Sequence, residues 1–181
     1  MTHIKKIISA VLVAAIAALL LCSCGNNNSE VPSGMKLLDS DFVNYKFYIP
    51  EDWIPDISTG ILTAKTNDNS NVSMQTMAPS GSYKNADEYF RTDYYAKVQS
   101  TFKNTALIEE ECSTENQRFG KQQIGCVKYV YTVESDGVTY KILQYFTLNG
   151  GYLYIFTYTA AESVFSEHLE EVSSMVQNFV F

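Results

Sequence analysis

Histidine and arginine are nearly missing from this sequence, and no apolar run is long enough to cross a membrane. The 181 residues hold two histidines, His3 and His168, one tryptophan and four cysteines. A zinc site of the usual kind takes three or four nitrogen or sulfur ligands, so no metal or cofactor is expected. With His3 ahead of the N-terminal apolar run, a Cys-His or Ser-His pair in the rest of the chain has only His168 to draw on, and no Gly-x-Ser-x-Gly elbow or phosphate-binding loop is present. Positive charge is short as well: 13 Lys and Arg face 20 Asp and Glu, for a net charge of −7. Affinity for phosphate backbones comes from clustered cations, so nucleic acid is excluded as a partner, and an acidic surface does not adhere to anionic lipid by charge.

The longest apolar run, residues 7–21, is 15 residues, against about 20 needed to span a hydrocarbon core. It follows His3, Lys5 and Lys6 and ends in Leu21-Cys22-Ser23-Cys24. A basic start, a short apolar stretch and small residues before a cut make a secretory signal. Leu three positions before the cut, Ser just before it and Cys just after it resemble a bacterial lipobox. Residues 1–23 are therefore read as a lipoprotein signal peptide, with Cys24 carrying diacylglycerol and anchoring the protein to the outside of the cell membrane. Cys22 is the poorer acceptor, because Leu21 would then stand where a small residue belongs. Removing residues 1–23 takes away two lysines and no acid, leaving 158 residues of charge −9. That length suits one domain. Residues 24–36, rich in Gly, Asn and Ser, read as a flexible tether, and residues 37–181 as the domain.

Alternation of Tyr45, Phe47 and Ile49 with Lys46 and Tyr48 predicts a first strand that ends at Pro50. Strands over 61–66 and 72–78 follow, joined by a turn of Asn, Asp and Ser. Asn85 and Glu88 have the spacing of a capping box, predicting a helix over 86–103 whose apolar stripe lies on a sheet. Strands over 106–115, 121–134, 138–148 and 152–159 form an antiparallel meander, with Asp136-Gly137 and Gly150-Gly151 at two turns. Tyr152, Tyr154, Phe156 and Tyr158 share one face of the last strand and Leu153 and Ile155 the other, as in a strand covered on both sides. Thr159 and Glu162 offer a second capping box, predicting a helix to Val176 with Phe165, Leu169, Val172 and Val176 inward. Phe179-Val180-Phe181 closes the chain as a short strand or packed tail.

Cys112 and Cys126 are equidistant from Phe119 in a predicted hairpin, so simple register places them opposite one another and predicts a disulfide. The alternative is two reduced, small core residues. His168 reads as a solvated helix flank rather than a general base. Glu109, Glu110 and Glu111 on a strand would point to alternate faces and could not converge. Asp68 lacks the spacing of a calcium loop. The 13 Tyr and 10 Phe are read first as core and cross-strand packing. The competing reading is an exposed ligand platform, in which Trp53, Tyr152 and Tyr154 would make the contacts.

The strand-and-loop segment Tyr45-Lys-Phe-Tyr-Ile-Pro50-Glu-Asp-Trp53, the helix after three strands, the four-strand meander and the closing helix before Phe179-Val180-Phe181 together resemble the PsbP-like domain. The resemblance covers about residues 37–181. It implies an α+β fold: an antiparallel sheet of about seven strands with helices packed on its faces. It implies no catalytic residues. The family's photosynthetic members dock through a His-containing N-terminal region and basic surfaces, which this acidic chain lacks. The expectation is thus a non-catalytic cell-envelope lipoprotein that binds, or assists assembly of, another envelope protein. A small-ligand or glycan binder is the alternative, and an enzyme of unknown class the third reading.

Overall fold

Ten strands, nearly all joined to their sequence neighbours, are what the alternating segments build. The computed structural model describes residues 30–38, 40–41, 43–58, 61–79 and 81–181; the signal segment and Cys24 lie outside these. The strands are β1 (Met35–Leu38), β2 (Phe47–Pro50), β3 (Ile54–Asp56), β4 (Leu62–Lys65), β5 (Asn71–Met77), β6 (Lys103–Leu107), β7 (Ser113–Phe119), β8 (Ile124–Ser135), β9 (Val138–Asn149) and β10 (Tyr152–Ala161). Strands β3-β4-β5-β10-β9-β8-β6 form one sheet, joined by β7 as an eighth strand on β8, and β1 pairs with β2 separately. Every pairing is antiparallel.

Two turns of the meander come out as read. Asp136 and Gly137 have φ of 52° and 76°, and Gly150 and Gly151 have 59° and 83°. Two consecutive left-handed residues match the twist of the strands they join. The alternation in β10 also holds: Tyr154, Phe156 and Tyr158 enter one apolar cluster, Leu153 and Ile155 the other. The central strands are therefore covered on both faces. On the first face lie β1, β2, the C-terminal helix α3 (Leu169–Asn178) and Phe179. On the second lie α1 (Ala86–Tyr89), a π-helical turn (Phe90–Tyr94) and α2 (Tyr95–Thr101). Asn85 caps α1, its Oδ1 accepting from the Glu88 N–H at 2.9 Å. Glu88 reaches back to the Lys84 N–H at 2.7 Å rather than to Asn85. These described residues form one unit, Val31–Phe181.

Several expectations are corrected. β1 begins at Met35, inside the segment read as tether, and Met35 is buried. The strand read over 106–115 is interrupted: β6 lies along one edge of β8 at Tyr131 to Glu134 and β7 along the same edge nearer its start. A 3-10 turn, Glu109–Glu111, separates them, so the three glutamates are not on a strand, and Glu111 pairs with Lys141 at 2.5 Å. The capping box at Thr159 does not form, because Thr159 is laddered to Asn71 and Ile142 on its two sides. Two ladders outweigh one local cap. The helix begins only at Leu169, after a 3-10 turn at Phe165–His168. Leu169 is 37% exposed while Met175, outside the predicted stripe, is fully buried.

Candidate functional site

The β4–β5 turn and the start of α3 come together around the one histidine of the domain. The Thr66 N–H donates to the Ser70 carbonyl at 2.9 Å, and Asn69 takes a left-handed φ of 68°, which folds Asp68 back over the turn. Asp68 Oδ1 accepts from the Ser70 N–H at 2.8 Å and from the Thr66 hydroxyl. Its Oδ2 faces His168 Nε2 at 3.1 Å. On the other side of the ring Nδ1 meets Glu171 Oε2 at 2.7 Å, and the same oxygen accepts from the Trp53 indole N–H at 3.1 Å. The Trp53 and His168 rings stand edge-to-face at 5.5 Å. Asp68, Glu167 and His168 bring one ligand-type atom each to within 4.8 Å of one another, beside a cleft of about 260 Å³ that Asp52, Thr66 and Asn67 also line.

Burial alone would lower the His168 pKa, but the Glu171 and Asp68 carboxylates overcome it and raise the value. Burial would likewise raise Asp68, yet the Thr66 hydroxyl, the Ser70 N–H and His168 hold its carboxyl well below the usual range. The result is a clamp between two segments 100 residues apart. Both ring nitrogens face carboxylates, so any chemistry on the imidazole must first displace one of these contacts. The sequence placed His168 on a solvated flank; its side chain is 19% exposed. Helical spacing locates a residue on its own element and carries no information on what another turn brings to it.

Of the three candidate aromatic contacts, two meet. Tyr152 and Tyr154 line an open cleft of about 510 Å³ with Asp41, Asn44, Tyr45 and Thr76. Tyr152 is 51% exposed and Tyr154 is buried at its base, its ring edge-to-face with Tyr45 at 6.1 Å. Trp53 does not join them. It is fully buried against the His168 clamp, so its indole cannot serve as an open platform.

The cysteines are not opposed. The β7–β8 ladder pairs Phe119 with Ile124 and Gln117 with Cys126, then shifts register before Ser113. Cys126 lies in the first apolar cluster, whereas Cys112 packs against the second with its Sγ on the carbonyls of Ile108 and Val130. The two thiols therefore sit on opposite faces of the sheet and are free. Burial pushes the Cys126 thiol up to about 12. This leaves it inert as a nucleophile.

Comparison with known proteins bears on the fold. No protein-family model matches the chain, and no curated protein matches it. Among solved structures, cyanobacterial PsbP from Synechocystis superposes with a TM-score of 0.54 at 20% identity, covering 88% of this chain and 98% of that one. The fold is PsbP-like. A protein of unknown function, PA94 from Pseudomonas aeruginosa, superposes equally well, with a TM-score of 0.54 at 13% identity over 79% of this chain and 94% of its own. A Bacteroides thetaiotaomicron protein gives 0.51 at 14% identity, over 81% of this chain and 48% of that one. On this PsbP-like frame the histidine clamp joins the β4–β5 turn to the closing helix, and the tyrosine cleft lies by the β9–β10 turn.

Proposed function

We propose that this protein is a lipid-anchored envelope protein whose PsbP-like domain binds another envelope protein without catalysing a reaction. Cys24 would hold it at the outer surface of the cell membrane, with the segment before β1 spacing the domain from the bilayer. The observation that carries the binding reading is the apolar surface at the free end of the sheet. Ile54, Ile57 and Ile61 are 46%, 52% and 37% exposed along and after edge strand β3. Pro55 and the brevity of β3 guard the edge against backbone pairing. The contact would therefore run through the isoleucine side chains. The engaged nitrogens of His168 and the raised thiol of Cys126 support a domain without a catalytic centre.

The test is mild crosslinking in intact cells with wild type, Ile57→Lys and Cys24→Ser. The expected result is one reproducible adduct that Ile57→Lys loses while its melting temperature is unchanged, and a Cys24→Ser form that leaves the membrane fraction. An adduct indifferent to Ile57→Lys refutes the surface, and continued membrane partition of Cys24→Ser refutes the anchor. The half-exposed Tyr152 ring beside Asp41 and Asn44 favours a second reading, a small polar ligand such as a sugar stacked on that ring. A ligand-induced rise in melting temperature that Tyr152→Ala abolishes would support it.

A further inference from the structure

We propose that Asp68, Glu167 and His168 form a binding site for a divalent metal ion of the zinc class. Two observations converge on it. The ligand-type atoms of the three side chains already lie within 4.8 Å of one another, with His168 Nε2 and Asp68 Oδ2 at 3.1 Å. Tetrahedral zinc, with bonds of about 2.0–2.1 Å to nitrogen and oxygen, wants its ligand atoms about 3.4 Å apart. The histidine and aspartate need only part slightly, and Glu167, exposed at the rim of the cleft, offers the third ligand atom within 4.8 Å.

The second observation is the set of groups behind the ligands. His168 Nδ1 is held by Glu171 at 2.7 Å, and Glu171 by the Trp53 indole at 3.1 Å. That carboxylate–histidine arrangement would keep the proton on Nδ1 once a metal displaced the Nε2 contact with Asp68. Asp68 is held in the same way through its other oxygen, by the Ser70 N–H at 2.8 Å and the Thr66 hydroxyl.

One imidazole and two carboxylates, with room in the cleft for water, suit zinc, manganese or cobalt. Calcium prefers six to eight oxygens and is disfavoured. On binding, the ion takes the place of the Nε2 proton, which leaves to solvent, and joins the β4–β5 turn to the start of α3.

The experiment uses the full chain in detergent micelles, labelled with nitrogen-15 and titrated with zinc chloride. It follows the imidazole nitrogens, because the chain has only His3 and His168 and cysteine-bound zinc leaves His168 untouched. The expected result is a saturable shift of His168 Nε2 with Nδ1 remaining protonated. Glu167→Gln, which leaves the clamp intact, should weaken that titration about tenfold or more. Glu171→Gln, which leaves all three ligands in place, should weaken it by about 10–100-fold. A His168 signal unmoved by excess zinc, or one that titrates alike in wild type and Glu167→Gln, overturns the proposal.

Discussion

The C-terminal tail is held by a glycine, and replacing that glycine should cost more than its backbone conformation alone. Gly120 opens the β7–β8 turn with φ of 72°. Its N–H donates to the Val176 carbonyl at 3.0 Å, and the next N–H, of Lys121, donates to the Phe179 carbonyl at 2.8 Å. A Cβ at position 120 would stand 2.8 Å from that same Phe179 oxygen and 3.2 Å from the Phe181 ring. Gly137 is the matched control, with φ of 76° and nothing within 4 Å of an added Cβ. Forcing alanine into the left-handed region costs about 1–2 kcal/mol at either position. At Gly120 the clash falls on backbone, which cannot rotate away, so the Lys121 to Phe179 hydrogen bond must lengthen or break. That adds about 1–3 kcal/mol. Urea unfolding of the Val31–Phe181 unit, monitored by circular dichroism, should place Gly120→Ala below Gly137→Ala by that margin. Equal midpoints for the two variants would show that the tail is not docked on this turn, and would refute the reasoning.

Tyr131→Phe should destabilise by about 1–3 kcal/mol in the same assay, because the Tyr131 hydroxyl donates to Gln144 Oε1 at 2.9 Å within a network that leaves Gln144 only 1% exposed. A change below about 0.5 kcal/mol, the scatter of a neutral surface substitution, would rule that network out as a support. Burial pushes the Tyr45 and Tyr145 hydroxyls up to about 12 from an ordinary value near 10. A phenol whose folded pKa is raised contributes stability that is complete below about pH 10 and disappears as the pH climbs toward 12. Unfolding midpoints should therefore fall over that window, and Tyr45→Phe should flatten the fall; an unchanged slope would contradict it. Cys112 and Cys126 should both react with an alkylating reagent in denaturant without prior reduction, and a mass that changes only after reductant would restore the disulfide.

What the sequence made legible was whatever repeats locally. The two-residue period of β10, the Asp136-Gly137 and Gly150-Gly151 turns and the Asn85 cap are each decided by side chains a few positions apart, and each was read correctly. The cysteine pairing failed because its premise was a centre of symmetry at Phe119. The turn is in fact centred between Lys121 and Gln122, and a bulge before Ser113 shifts the rest of the ladder. That error is small in residues but large in consequence, since one step in register exchanges the two faces of a sheet. The clamp around His168 was out of reach for a different reason. Asp68 and His168 are 100 positions apart, and the turn chemistry of one and the helical position of the other say nothing about each other. Trp53 fell between these cases: the platform reading needs it exposed, and only the fold shows it buried on its partner Glu171.

The aromatic load now has a physical account, which also isolates what is left for function. Central strands covered on both faces need bulky side chains at odd and even positions alike, and each tyrosine placed there brings a hydroxyl that must be satisfied. The fold satisfies them inside: Tyr131 and Tyr94 meet on Gln144, Tyr158 donates to the Phe165 carbonyl and Tyr45 to the Met74 carbonyl. Phenylalanine fills other core positions, as with Phe90 stacked on Tyr129 at 3.5 Å. Tyr152 breaks this pattern, being the single exposed tyrosine of the 13. The other twelve are buried or partly buried, and it is not. An exposed aromatic contact in the tyrosine cleft would therefore be made by Tyr152, and a Tyr152→Ala variant that keeps both its stability and its ligand would remove the aromatic-platform reading altogether.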